Sequence, residues 1–488
     1  MKNSSLRRTP TQHLHLITMR IVLACCSCLM VSLASPAKGT DKMKFPGGRC
    51  YLFRLMLTDK NGTPFSLDRP EEFLSQRALE RRRRQHIPVD STDLPISPVY
   101  EQLVAAEGVE IISKSKWNNT LLVRSRRMET LRSLTKLAFV SEGRKVWTSP
   151  DSIEKRKVRA RYISDVTRID TVAPNHEGVA FEQIDMLNGT WLHHRGFRGR
   201  DMHIAVLDGG FMNADVIPVL ARIRLLGTAD FVYPRSENIF KETDHGTMVL
   251  STMATNQPDL FVGTAPEASY WLLRTEESQT ETPAEEDFWA AAVEFADSAG
   301  VDVISSSLGY HDFNEPTMNY SYRQLDGRST LISRTASMLS DKGIILVNSA
   351  GNDGMGTWKK INVPADAHDI LTIGAVSANK QNAAFSAIGP TADGRIKPDL
   401  MALGSPTSVI TGRGVISKDI GTSFATPIVA GLVACLWQAF PHLTAKQIIE
   451  QVRQSGNNAD YPDNIFGYGI PDFMKAYQKC KEINNPPI

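Results

Sequence analysis

Three short stretches carry the residue types that acyl transfer requires. An apolar segment ends in Asp208, a helix-like segment begins with His245, and a strongly apolar one begins with Ser423. A serine hydroxyl is a weak nucleophile at neutral pH, but a histidine can accept its proton and a carboxylate can orient that histidine. The residues lie 37 and 178 positions apart. Only a fold that brings distant segments together can make them one site.

Acyl transfer also needs donors for the developing oxyanion. Asn352 follows a buried-strand pattern and offers a side-chain amide, and the backbone N–H of Ser423 offers a second donor. The loss of one such donor typically costs about 3–4 kcal/mol in the transition state. Taken singly, each of these residues is more simply a turn or cap residue. Their combination favours catalysis.

These stretches resemble the four signatures of the subtilisin-like serine endopeptidases, and the resemblance covers residues 181–480. It implies that Asp208 orients the base, His245 is the base, Ser423 is the nucleophile and Asn352 completes the oxyanion hole. It also implies a set of substrate-binding residues, namely Ser307, Leu308, Gly309, Ala350 and Gly351. The implied chemistry uses no metal and no cofactor. Relatives often bind structural calcium, but no ligand set in this chain matches residue by residue.

The sequence departs from the family pattern around the site. Met248 replaces a second histidine, Phe424 and Ile428 replace Met and His, Tyr310 replaces a glycine, and Leu403 replaces a proline. None of these changes removes a triad residue. They bear on the shape of the substrate pockets.

Strand and helix patterns alternate between residues 181 and 480, which predicts a doubly wound, mostly parallel α/β sheet covered on both faces. Active sites in such sheets lie at the carboxyl ends of the strands. The last long apolar helix is expected over residues 423–440, with Pro427 in its first turn.

Residues 45–148 predict a small α+β unit in front. A strand over 51–58 is followed by a helix that starts at Asp68 and Pro70 and runs to Arg84, and a second helix runs from Ser97 to Gly108. The four arginines 81–84 are expected to be a solvated helix end, with a processing site or a nucleic-acid patch as alternatives. The unit resembles the ferredoxin-like propeptides of the family, apart from the additional second helix. The resemblance implies an intramolecular inhibitor.

Residues 149–180 predict a polar linker that includes the basic run 155–161, with cleavage expected between 150 and 178. The net charge of the chain is +2, but the charge is distributed unevenly, with +9 in residues 41–170 and −12 in residues 171–488. This split suggests either two attracting parts of one chain or a nucleic-acid arm. Aromatic residues do not alternate with the basic ones, which disfavours nucleic acid as a partner.

Length and composition agree with a soluble multidomain protein. The chain has 488 residues, of which 42% are hydrophobic and 22% charged, which excludes a disordered, collagen-like or polytopic membrane protein. Residues 1–37 predict a signal peptide, since the apolar run 21–34 is too short to span a bilayer and small residues follow it. No other transmembrane segment is predicted, and export is expected.

Three cysteines remain beyond the signal peptide, namely Cys50, Cys435 and Cys480. An odd, widely spaced set predicts neither a disulfide framework nor a zinc site. Cys435 is expected to be a small core residue, and a bridge between Cys50 and Cys480 stays open.

The sequence as a whole predicts an exported serine endopeptidase made as a zymogen, acting on protein or peptide substrates. The alternative is a catalytically silent module that keeps the fold, retains the propeptide and only binds a peptide.

Overall fold

The computed structural model describes residues 42–46, 48–154, 175–220 and 222–484. The predicted signal peptide and most of the predicted linker and cleavage window lie outside the described residues. The described residues fall into two compact units, Lys42–Lys44 with Ser152–Glu154, and residues 45–151 with 175–484. In the first unit, strand β1 pairs antiparallel with strand β6. The second unit contains every residue of the candidate site.

The strands, in chain order, are β1 Lys42–Lys44, β2 Tyr51–Leu57, β3 Glu110–Ser115, β4 Thr120–Ser125, β5 Val140–Thr148, β6 Ser152–Glu154, β7 His203–Asp208, β8 Arg224–Asp230, β9 Asn256–Gln257, β10 Phe261–Val262, β11 Ser269–Arg274, β12 Val303–Ser306, β13 Ile345–Ser349, β14 Leu371–Ser377, β15 Leu400–Ser405, β16 Thr407–Ile410 and β17 Ile416–Asp419.

The α-helices, in chain order, are α1 Gln76–Arg84, α2 Pro98–Ala106, α3 Thr130–Leu134, α4 Phe181–Asp185, α5 Gly189–His194, α6 His245–Ala254, α7 Ala284–Ala299, α8 Leu331–Met338, α9 Thr422–Ala439, α10 Ala445–Arg453 and α11 Phe473–Asn484. Short 3-10 turns cover Pro70–Glu72, Ile239–Lys241, Pro316–Met318, Tyr322–Gln324 and Ser340–Lys342.

A seven-stranded sheet organises residues 175–484, called here the sheet domain. The strand order is β15–β14–β13–β12–β7–β11–β8, and all neighbouring pairs are parallel. The predicted doubly wound α/β fold is confirmed. Because parallel strands end at the same edge, the residues after β7, β11, β12 and β13 lie next to one another.

The central strand β7 shows why both faces of the sheet are covered. Ile204 and Val206 pack into the core on the side of α6 and α9, whereas Ala205 and Leu207 pack against α7 and α8. This alternation follows from the two-residue period of a strand. Within the described residues, α9 is the one helix long and apolar enough to cross a membrane, but 83% of it is buried inside the protein.

Residues 45–151, called here the front domain, contain a second, antiparallel sheet with strand order β3–β4–β2–β5. Helices α1 and α2 connect β2 to β3, and α3 connects β4 to β5. The order confirms the predicted ferredoxin-like topology, with α2 as the additional helix. The last strand of this sheet, β5, covers Val140–Thr148.

The prediction that the first helix of the front domain starts at Asp68 and Pro70 is wrong. Residues Pro70–Glu72 form only a 3-10 turn, and α1 begins at Gln76. The reason is the cap at Ser75, whose hydroxyl accepts the backbone N–H of Ala78 at 3.2 Å. An N-cap residue has extended backbone, so it starts a new helix rather than continuing an old one.

The prediction that the arginines 81–84 are a solvated helix end is also wrong for two of them. Arg81 and Arg82 are buried, at 0% and 1% exposure. Both guanidinium groups bind Asp297 of α7, with N–O distances of 2.5 Å and 2.8 Å. Arg83 instead pairs with Glu80 on the exposed side of the helix. Buried charges are tolerated where they are paired and hydrogen-bonded in this way.

One face of α7 carries the carboxylates that meet the front domain. Asp287, Glu294 and Asp297 are all buried, and their spacing of seven and three residues places them on one side of a helix. Asp287 binds Arg54 at 2.5 Å. Glu294 accepts hydrogen bonds from the Ser115 hydroxyl and from two backbone N–H groups of the β3–β4 turn. The basic front and acidic back predicted from charge thus meet as specific ion pairs.

The described cysteines Cys50, Cys435 and Cys480 are all free and buried. The bridge left open between Cys50 and Cys480 is therefore not formed. Cys435 lies in the core of α9, as predicted.

A pair of neighbouring arginine variants tests the buried ion pairs. Arg81→Leu removes a bond to Asp297 and one to the Val301 carbonyl, so we expect it to destabilise the chain by about 3 kcal/mol. Arg83→Leu changes an exposed pair and is expected to cost less than about 0.5 kcal/mol. Denaturant unfolding of the full chain, in a Ser423→Ala background to keep it intact, measures both. Equal destabilisation by the two variants would contradict the assignment.

Candidate active site

A short hydrogen bond joins the side chains of Asp208 and His245. Asp208 is the last residue of β7 and only 1% exposed, and His245 is the first residue of α6. The His245 Nδ1 lies 2.8 Å from the Asp208 Oδ2, and the other carboxylate oxygen accepts the Gly209 N–H at 2.8 Å. The carboxylate thus fixes the imidazole ring and leaves Nε2 as its basic atom.

Gly246 allows this helix to start so close to the sheet. A Cβ atom at Gly246 would lie 2.4 Å from the Gly210 carbonyl oxygen and 2.9 Å from the Asp208 Cβ. Its backbone N–H donates to that same carbonyl at 3.1 Å. A larger residue would push α6, and with it His245, away from Asp208.

Ser423 is the second residue of α9 and is bound to the end of β12. Its hydroxyl donates to the Ser307 carbonyl at 3.3 Å, and the Ser307 hydroxyl donates to the Ser423 carbonyl at 2.8 Å. The sequence prediction placed Pro427 in the first turn of this helix, and that is wrong, because α9 begins at Thr422. Proline lacks the N–H that would bond to the carbonyl four residues back. The Ser423 carbonyl is therefore available to Ser307.

Asn352 lies just beyond β13 and is held by the start of α9. Its Oδ1 accepts the backbone N–H and the hydroxyl of Thr422, each at 3.0 Å. This arrangement fixes the side chain through its oxygen and leaves the Nδ2 group as a donor. The N–H of Ser423 follows directly after Thr422 in the same first turn, where backbone N–H groups lack helical partners.

The five predicted substrate-binding residues occupy two neighbouring strand ends. Ser307, Leu308 and Gly309 follow β12, and Ala350 and Gly351 follow β13. These two strands pair directly in the sheet, so the structure brings the two stretches beside each other. Of the five, Ser307 contacts Ser423 itself.

Sequence reasoning missed Asn362, which lies between these two stretches. Cβ atoms built on Gly309 or Gly351 would come within 2.9 Å of its side chain. Asn362 is 7% exposed, and its Nδ2 donates to the Asp353 Oδ2 at 2.8 Å. No local pattern in the sequence marks this position.

Sequence reasoning also missed Glu276, which follows β11 and lines a cleft beside the Asp208–His245 pair. This cleft, called here the acidic cleft, has a volume of about 450 Å³. The hydroxyl of the buried Tyr310 donates to the Glu276 Oε1 at 3.2 Å. Its position after a strand next to β7 was the available signal, because the carboxyl ends of the two strands adjoin.

The charges of this cleft act on the histidine. Burial alone lowers the pKa of His245, but the charge and hydrogen bond of Asp208, with the charges of Glu276 and Asp419, raise it to about 9. Burial and the charges of Asp208 and Glu281 raise the pKa of Glu276 to about 8, although the Tyr310 hydrogen bond opposes them. His245 thus holds its proton more strongly than an ordinary histidine does.

The described residues contain no group of three or more His, Cys, Asp or Glu side chains arranged to hold a metal ion. Structural calcium, which relatives often bind, is therefore not assigned to any residues of this chain.

Comparisons with known proteins agree with the fold. The sequence profile of the subtilase family, Peptidase S8, matches residues 199–469. A second profile, the Peptidase S8 propeptide domain of Bacteroidota, matches residues 53–162. The chain belongs to the subtilase family and carries a propeptide domain of that family. It is a serine endopeptidase, as the sequence resemblance implied.

Relatives of this chain include two bacterial proteases. Subtilisin NAT of Bacillus subtilis subsp. natto is 29% identical over 290 residues, which are 59% of this chain and 68% of that protein. The thermostable alkaline protease of Halalkalibacterium halodurans is 28% identical over 298 residues, covering 60% and 73%. The solved structure of MycP1 from Mycobacterium smegmatis is similar in fold, with a TM-score of 0.50 and 23% identity over 66% of this chain and 89% of that one.

The pH dependence of peptide hydrolysis tests the electrostatics of the cleft. A general base must be neutral, so activity should rise as the pH passes through the raised His245 pKa near 9. Glu276 is ionised at that pH, and its charge stabilises the imidazolium. We therefore expect Glu276→Gln to move the acid limb of the kcat/KM profile to lower pH. The exposed Glu237→Gln serves as control, and an unchanged limb in Glu276→Gln would contradict this account.

Proposed function

We propose that this chain is an exported zymogen whose Ser423 attacks the peptide carbonyl of its substrate. His245 takes the hydroxyl proton at Nε2, and Asp208 orients the ring and stabilises the imidazolium. Asn352 Nδ2 and the Ser423 N–H stabilise the oxyanion. The observation that carries this proposal is the 2.8 Å contact between His245 and Asp208 at the sheet edge where Ser423 begins α9.

The reaction then proceeds in two halves. Collapse of the first tetrahedral intermediate breaks the peptide C–N bond, and the imidazolium of His245 gives its proton to the leaving amine. Water, deprotonated by His245, attacks the acyl-enzyme, and the Ser423 hydroxyl is restored. Because the Ser423 hydroxyl donates to Ser307 in this structure, its rotation towards His245 precedes the first proton transfer. The residues of this chain supply the whole proton path, and we propose no catalytic metal or cofactor.

We infer that the front domain is the intramolecular inhibitor of this site. Its match to the family propeptide supports this role, as do its buried ion pairs with α7. Its last strand, β5, also leads to the substrate side of the sheet domain. There, Trp147 and Pro150 line a cavity of about 310 Å³ together with Gln279–Pro283 and Phe313–Glu315.

We infer export from the apolar run 21–34 and the small residues after it. The structural partners proposed are protein or peptide substrates and the propeptide itself. We do not propose a nucleic-acid partner. Three basic residues of the front domain, Arg54, Arg81 and Arg82, form ion pairs with buried carboxylates of the sheet domain and do not face solvent.

Two variants and one reagent test the assigned roles. Ser423→Ala should fold and lower kcat/KM by at least about 10⁴-fold, and His245→Ala should cost a similar amount because the triad acts as a unit. A fluorophosphonate should add its mass to the peptide that contains Ser423 in the activated wild type, and to neither variant. The exposed His194→Ala is the control and should behave as wild type. Normal hydrolysis by His245→Ala would overturn the assignment.

A further inference from the structure

The acidic cleft has structure beyond what hydrolysis of a peptide bond requires. It opens beside Asp208 and His245, and its other wall is the segment 276–281 between β11 and α7. Glu285, in the first turn of α7, shapes this wall. Its buried carboxylate accepts the backbone N–H groups of Glu277 at 2.8 Å and Thr282 at 3.1 Å. These two hydrogen bonds hold the loop that forms this wall.

The far end of the cleft is closed by two hydrogen bonds between loops. The Glu281 N–H donates to the Asn314 Oδ1 at 2.6 Å, and the Asn314 N–H donates to the Glu281 carbonyl at 2.9 Å. The cleft thus becomes a pocket that has the catalytic pair at one end and Glu281 at the other. A substrate group that enters it must lie close to the scissile bond.

Two carboxylates in this pocket lack a cation of their own. In the part of the chain that the structure describes, no lysine or arginine pairs with Glu276 or Glu281, whereas Glu277 of the same loop binds Arg274 at 2.9 Å. Tyr310, one of the departures from the family pattern, fixes the Glu276 carboxylate through its hydroxyl. Glu276 is half-buried, and burial together with the charges of Asp208 and Glu281 raises its pKa to about 8, whereas the Glu281 side chain is exposed. A cation entering the pocket would relieve this cost by pairing with both.

We propose that the acidic cleft binds a cationic group of the peptide substrate, an ammonium or guanidinium, next to the scissile bond. This inference rests on the proposed function and adds the substrate class. Two sources share the chemistry, a lysine or arginine side chain of the substrate and the free amino group at its N-terminus.

The chain itself contains a matching substrate segment. Residues 155–161 read Lys-Arg-Lys-Val-Arg-Ala-Arg, with five basic residues in seven. They begin five residues after Pro150, which lines a cavity with the same loop that forms the wall of the cleft. This charge complementarity favours a side chain as the source of the cation.

Matched peptides test the proposal on the protease obtained from the full chain after processing. Internally quenched peptides would carry lysine or the uncharged norleucine at one position at a time around the scissile bond, with an acetylated or a free N-terminus. We expect lysine at one position to raise kcat/KM by about tenfold in the acetylated series. A preference that instead follows the free N-terminus would assign the cleft to the terminal amine.

Variants of the two carboxylates connect that preference to the cleft. In Glu276→Gln/Glu281→Gln the ratio of lysine to norleucine kcat/KM should fall to about one, and Glu281→Lys should favour a glutamate peptide instead. Glu237→Gln is the control and should keep the wild-type ratio. Hydrolysis of the norleucine peptide shows in each case that the variant is folded and active.

The outcomes separate the two proposals. Equal rates for the lysine and norleucine peptides at every position, with either N-terminus, would overturn the cationic site while leaving the protease assignment intact. A ratio that survives in Glu276→Gln/Glu281→Gln would overturn it as well. Failure of the wild type to cut any peptide would overturn both.

Discussion

Parallel strands end at the same edge of their sheet, and the chemistry of this protein depends on that constraint. The neighbouring strands β13, β12, β7 and β11 are followed or ended by Asn352, Ser307, Asp208 and Glu276, respectively. Each of these strands therefore places one polar side chain along the same edge of the sheet. The helices α6 and α9 begin at this edge and add His245 and Ser423. None of these contacts requires the residues to be near one another in the chain.

The sheet edge also explains why the supporting residues matter. Gly246 lets α6 approach Asp208 closely enough for the 2.8 Å contact of His245. Pro427 leaves the Ser423 carbonyl free for Ser307, and Thr422 orients Asn352. These residues touch the reacting groups or hold them. They fix the orientations of the side chains that form the proposed site.

The front domain provides the partners of buried carboxylates in the sheet domain. The buried face of α7 carries three carboxylates, which would be costly without partners, and the front domain supplies Arg54, Arg81 and Arg82 together with polar donors of the β3–β4 turn. This pairing brings the last strand of the front domain to the loops that flank the acidic cleft. The charge split visible along the sequence is thus realised as contacts between named groups.

Much of this arrangement was predictable because the signals are local. The apolar helix predicted over residues 423–440 is observed as α9, Thr422–Ala439, and the strand predicted over 51–58 is observed as β2, Tyr51–Leu57. Asp208, His245, Ser423 and Asn352, the residues of the proposed site, could be singled out because each lies in a short motif at a strand end or helix start. The confirmed fold class follows from the alternation of these elements.

The remaining features depend on partners that are distant in the sequence. The burial of Arg82 needs Asp297, which lies 215 residues away, and no local pattern distinguishes it from the exposed Arg83. The edge strand β8 was not predicted because it is largely exposed and contains Gly227, over which Trp271 packs. Asn362 is defined by the space between two glycines of other segments. Such positions become visible only when the chain is folded.

The most direct test of the central claim, that Ser423 acts as the nucleophile of this zymogen, is intact mass over time. Purified residues 38–488 would be followed as wild type beside Ser423→Ala, without any added protease. The account predicts that the wild type shortens to a species that starts between residues 150 and 178, while Ser423→Ala keeps its full mass. Shortening of Ser423→Ala at the wild-type rate would contradict it.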